Sequence, residues 1–152
     1  MYEYRAKLIR VVDGDTVDVD IDIGFGVWLK DERVRIMGID TPESRTSDKV
    51  EKIFGLAAKN RLKELIEKET ILKTFAAKDG EDMKGKFGRI LGDFIVGDRM
   101  VSEILIEEGH AVKYYGQNKA DVELQHMGNR HKLLNEGVVS AKEVQEAAAK
   151  NK

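Results

Sequence analysis

Cysteine is absent from the 152 residues, which excludes disulfide staples and thiolate metal sites and is compatible with a reducing or an oxidising compartment. Proline occurs once, at Pro42, and with no proline-rich linker a single domain spanning 1–152 is expected, long enough to bury a core unaided. No apolar run approaches the length that crosses a bilayer, and Met1-Tyr2-Glu3-Tyr4-Arg5 has no signal-peptide core. The expectation is a chain without membrane association, cytoplasmic, or secreted if a leader has been removed. Positive charge is not in excess either. Lys and Arg number 26 against 28 Asp and Glu, a formal charge of −2, which argues against a protein that holds nucleic acid by bulk positive surface.

What the chain does have is a dense acidic segment. Between Asp13 and Glu43 nine carboxylates stand against three basic residues, a density that repels itself unless the charges face water or share a cation. In a strand, residues two apart share a face. Val17, Val19, Ile21 and Ile23 therefore lie together, and Asp18, Asp20 and Asp22 opposite them read as a solvated face. Asp15 has the parity of the valines, so its carboxylate points to the apolar side, where an unpaired charge is costly. Asp40 ends a strand running from Arg33 to Ile39, just before Thr41-Pro42, and Glu43 follows three residues on. Strand ends and turns can aim such oxygens at one hard cation. The segment is either a small calcium or magnesium site or merely a turn followed by a helix start.

Elsewhere the pattern is that of a small barrel. Glu3 to Val12 reads as the first strand and Gly14 as the turn into the second, which ends near Ile23. The connection from Gly24 to Leu29 has an apolar tip, where Phe25 and Trp28 either stack on a base or, as the favoured reading, cover one end of the barrel. Val50, Phe54, Ala58, Leu62, Leu65 and Ile66 make a helical stripe. Thr70 to Ala77 and Phe87 to Val96 are the fourth and fifth strands. Val101 to Glu108 is a helix stopped by Gly109. Ala111 to Tyr115 is extended, and a further helix covers about Asp121 to Asn135. Ser140-Ala141-Lys142-Glu143 opens a last one, in a C-terminal extension over about 138–152, whose alanines either pack or fray. Three strands, a helix and two strands is the order of an OB-type barrel. The expected class is α+β, a five-stranded OB-type β-barrel with about three packed helices.

Two motifs are rejected. Gly80 to Lys86 imitates a phosphate loop, but Phe87 stands where a hydroxyl is needed and a strand follows in place of a helix. Asp18, Asp20 and Asp22 imitate a calcium-binding loop that lacks its glycine and its closing glutamate. His110, His126 and His131 read as structural or solvated. Arg35 and Arg89 carry planar forks matched to phosphate oxygens, and either grip a phosphodiester or bridge Asp40 or Glu43.

Three motifs decide between these alternatives by resemblance. Asp13-Gly14-Asp15-Thr16-Val17, Arg35 with Asp40-Thr41-Pro42-Glu43, and Phe87-Gly88-Arg89 resemble, in order and approximate spacing, the motifs of the staphylococcal nuclease (thermonuclease) family, over about Tyr4 to Tyr115. The resemblance implies Asp15 and Asp40 as calcium ligands with Thr41 through its carbonyl, and Glu43 beside the attacking water. It implies Arg35 and Arg89 on the phosphate, and Tyr114 and Tyr115 toward substrate; Lys86, just before Phe87-Gly88-Arg89, either reaches a substrate phosphate or, as the favoured reading, is a solvated surface lysine. Magnesium or manganese are alternative cations. It further implies hydrolysis of DNA and RNA to 3′-phosphate ends; a monomer is expected. The rival reading is an OB-fold nucleic-acid-binding module that has lost catalysis. Two departures stand out: the 24–32 connection is longer than in the family, and Tyr114 and Tyr115 are adjacent.

Overall fold

Alternation of apolar and polar residues sets up the barrel. In the computed structural model, which describes residues 2–75 and 89–151, β1 (Tyr2–Asp13) turns through Gly14 into β2 (Thr16–Asp22). Their antiparallel register sets Leu8 against Val19 and Val11 against Val17. β3 (Trp28–Ile36) pairs with β2, while β5 (Glu69–Thr74) pairs with β1 and β6 (Ile90–Val96) with β5. A parallel pairing of β3 with β6, Val34 beside Ile90, closes the ring. Closure removes the sheet edges that would otherwise expose unpaired backbone. The expected α+β OB-type barrel is thus the observed fold.

The interior is what the parity argument requires. Val17, Val19, Val34, Ile36, Leu72 and Phe94 are fully buried. Leu62 and Leu105 cap the barrel from α1 (Lys49–Leu65) and α2 (Val101–Glu108). Each fully buried Val, Leu or Phe is worth about 1.5–3 kcal/mol. Asp48 opens α1 by accepting from the Val50 and Glu51 amides, and Gly109 ends α2. α3 (Lys119–Asn135) begins at the Asn118 cap and α4 (Ala141–Lys150) at Ser140. α4 packs rather than frays: Ala147 is buried, and Asn151 accepts from the Lys49 amide at 2.8 Å. No helix among the described residues is long and apolar enough to cross a membrane.

Several boundaries differ from the expectation. β3 starts at Trp28 and stops at Ile36; Ile39–Asp40 is a separate strand, β4, paired with β7 (Val112–Lys113). Met37 and Gly38, with φ +83 at Gly38, turn the chain between them. Trp28 therefore belongs to a strand, flanked by Lys7 and Lys30. Phe25 packs against nothing and is wholly exposed. Asp18 is not solvated. It is buried under Arg10 and Arg33, with Arg33 Nε at 2.9 Å. Alternation assigned its face correctly, but not the cations that neighbouring strands lay over it. Ala76, Ala77, Lys86, Phe87 and Gly88, with the phosphate-loop imitation, lie outside the described residues.

Candidate active site

Close backbone approach assembles the acidic turn. A side chain at Gly55 on α1 would meet the Glu43 carbonyl at 2.2 Å, and one at Gly14 would meet Ala58 at 2.7 Å and Thr41 at 3.0 Å. Glycine at both positions lets the β1–β2 turn, the Asp40–Glu43 turn and α1 meet without intervening side chains. Asp13 then accepts from the Ser44 amide at 3.1 Å and from its hydroxyl. The Glu43 amide donates to Glu51 at 2.9 Å.

Asp15, Arg35 and Asp40 converge there from three different pieces of chain. Asp15 Oδ1 accepts from the Thr16 hydroxyl at 2.9 Å, and its Oδ2 receives the Thr41 amide at 3.3 Å. Arg35 Nη2 stands 3.4 Å from Asp15 and 3.9 Å from Asp40, longer than the roughly 2.7–2.9 Å of a tight charge-assisted bond. The guanidinium is held in place by the carbonyls of Ile36 and Ile39, at 2.6 and 2.8 Å. One cation thus serves two carboxylates, and neither is closely neutralised by it.

Glu43 completes the cluster. Its carboxyl is pushed above the ordinary glutamate value, first by burial and then by the charges of Asp13, Asp15, Glu51 and Asp40. A more basic carboxylate at the rim of a cleft suits proton abstraction. Arg89 lines a cavity of about 700 Å³ together with Arg10, Arg33 and Arg45. A second cavity of about 730 Å³ lies between the Asp40–Glu43 turn and α3, and Tyr114 is on its wall. Tyr115 is exposed, with its amide donating to Gln117 at 2.9 Å. Lys86 lies outside the described residues.

His126 is the contact that the sequence reading missed. Its Nε2 lies 2.7 Å from Asp40 Oδ2, and because an ionised carboxylate only accepts, that nitrogen carries a proton. The pair joins residues far apart in sequence, so no local spacing could announce it. His110 is structural, as expected: it is buried, and desolvation holds its imidazole below the usual histidine value.

Asp15 and Asp40 carry carboxylates and Thr41 a backbone carbonyl, oxygen donors of the kind that would suit a hard divalent cation. The fit is sparse. Among the described residues no group of three or more His, Asp or Glu side chains is arranged to hold a metal.

Residues 33–138 match the family model described as staphylococcal nuclease homologue. The chain is 34% identical over 110 residues to a thermonuclease of Staphylococcus intermedius, covering 72% of this chain and 60% of that protein. It is 31% identical over 117 residues to a thermonuclease of Staphylococcus hyicus, covering 76% and 63%. Against endonuclease YncB of Bacillus subtilis (strain 168) it is 35% identical over 107 residues, covering 70% and 46%. The match thus spans under two thirds of the length of each of these relatives.

Proposed function

The chain belongs to the family of staphylococcal nuclease homologues, and on that premise we propose that it is a calcium-dependent nuclease that hydrolyses phosphodiester bonds in DNA and RNA. The observation that carries this reading is the convergence of Asp15 and Asp40 on one Arg35 nitrogen, beside a Glu43 made more basic by burial and then by neighbouring carboxylates. That arrangement gathers three carboxylates against one guanidinium, with only the His126 nitrogen added at Asp40, where a structural ion-pair cluster would match its charges more closely.

Asp15, Asp40 and the Thr41 carbonyl would hold the cation, which when bound supplies positive charge to a phosphate oxygen. Arg35, fixed by two backbone carbonyls, and Arg89 orient the phosphodiester by their forked donors and balance the charge that builds on phosphorus. Glu43 takes a proton from water as its oxygen attacks. Departure of the 5′ oxygen leaves a 3′-phosphate end. Tyr114, on the wall of the cleft, offers a ring to the neighbouring nucleotide.

Digestion of single-stranded DNA with calcium, repeated with chelator, tests the reading. Cutting that stops on chelation and yields 3′-phosphate ends is expected. A chain that retains DNA in a gel without cutting it under any divalent cation is a binding module instead, and the hydrolase reading falls.

A further inference from the structure

Asp40 is held by a residue to which the hydrolytic reading gives no part. Its two carboxylate oxygens go to different partners. Oδ1 faces the centre, 3.9 Å from Arg35 Nη2, the nitrogen that also stands 3.4 Å from Asp15. Oδ2 faces α3, where it accepts from His126 Nε2 at 2.7 Å. Only the second contact has the length of a charge-assisted hydrogen bond.

The backbone at Asp40 is fixed by its pairing with Val112 in the short β4–β7 ladder, so what is left to settle is the rotation of the side chain. Asp40 is one of the carboxylates whose charge raises Glu43, and Asp15 is another. Like charges at such close quarters drive an untethered carboxylate out toward water. A donor that fixes Oδ2 opposes that rotation and leaves Oδ1 toward Asp15 and Arg35.

Helix α3 is built to hold the donor there. Val122, His126, Asn129 and Leu133 fall at i, i+4, i+7 and i+11, a single helical face. Val122 and Leu133 are buried, and the His126 side chain is only 14% exposed. Asn129 Nδ2 donates to the Ala111 carbonyl at 3.1 Å, beside the Val112 that pairs with Asp40. The ring's other nitrogen, Nδ1, is buried without a hydrogen-bond partner. Such a nitrogen costs stability, so a side chain kept for packing alone would be apolar here. What the imidazole supplies is the bond to Asp40.

We propose that His126 is a positioning residue, which holds Asp40 Oδ2 so that Oδ1 is presented to the centre shared with Asp15 and Arg35. It acts through Asp40 alone. The inference rests on the nuclease reading for what that centre does, whereas the bond itself needs neither metal nor substrate.

Two variants separate the donor from the ring. His126→Gln keeps a side-chain N–H of similar reach, and His126→Leu keeps volume only. In chelator, the Tm changes of His126→Leu and Asp40→Ala fail to add, their sum differing from the double variant by about 2 °C or more. In calorimetric titration without substrate, His126→Leu raises the Kd for calcium about 10–100-fold, the usual effect of removing a group that orients a ligand. His126→Gln recovers most of that loss. Positioning is overturned if the Tm changes simply add, or if His126→Leu binds calcium as tightly as the parent. It is overturned equally if the Gln variant binds as weakly as the Leu variant, since the effect then belongs to the packing of the ring. Non-additive Tm changes in a parent that takes up no calcium keep His126 on Asp40 and remove the calcium reading instead.

Discussion

Asp15 and Asp18 stand three residues apart in sequence, both buried, and their surroundings are opposite. Asp18 takes two arginines, with Arg33 Nε at 2.9 Å and a second Arg33 nitrogen at 3.1 Å, and these bonds hold its carboxyl below the ordinary aspartate value. Asp15 has only part of Arg35, at 3.4 Å, and shares it with Asp40. The barrel had the means to neutralise both and neutralised one. A carboxylate satisfied by its neighbours belongs to the structure, whereas a crowded one left short of cations is poised for a ligand that brings positive charge.

The largest effects should come from the crowded side. Glu43→Gln and Arg89→Ala each lower turnover on single-stranded DNA by about 10²-fold or more while the circular dichroism stays that of the parent. Full activity in either variant breaks the comparison at its functional end. Asp15→Asn is expected to weaken calcium binding at least tenfold, since even groups that only support a ligand are worth about 10–100-fold. Its melting temperature should hold or rise, because the change relieves repulsion among Asp15, Asp40 and Glu43. Calorimetric titration reads the first effect and thermal unfolding the second.

Asp18→Asn should do the reverse, lowering stability by about 1.5–3 kcal/mol through lost charge-assisted hydrogen bonds. At about 2–4 °C per kcal/mol for a chain of this size, the shift is easily measured. Its pH dependence has a definite sign. The folded pKa lies below the ordinary value of 3.8, so the unfolded chain binds the proton first as pH falls. Stability is therefore fully present above about 3.8 and is lost as pH drops through the lower folded value. Denaturant unfolding between pH 5 and pH 2 should show that loss in the parent and a shallower one in Asp18→Asn.

Much of the fold was legible because alternation and helical periodicity are local. Val17, Val19 and Ile21 are inside, as their parity demands, and Ser140 and Gly109 sit at the helix ends where they were expected. What was not legible is long-range. Nothing near Asp18 announces that Arg10 and Arg33 fold over it. Nothing near Asp40 announces His126 on α3, 86 residues away in sequence. The roles of Arg35 and Asp40 came from resemblance, and only the three-dimensional register brings one guanidinium nitrogen to Asp15 and Asp40 together. Phe25 failed for a different reason: an apolar residue was expected to pack, and the turn holds it in the open.

That turn sharpens the comparison at its smallest scale, because Phe25, like Asp15, sits where stability alone would not put it. Phe25→Gly removes a left-handed conformation, φ +57 at Phe25, that costs an L-residue roughly 1–2 kcal/mol, offset in part by the greater freedom of glycine in the unfolded chain. The expected gain is below about 1 kcal/mol, a rise of about 2 °C in Tm. Phe25→Ala keeps the strained backbone and should gain nothing. Stability that separates the two variants would assign the strain to the backbone. If Gly and Ala melt together, the left-handed turn is not where the chain stores its strain.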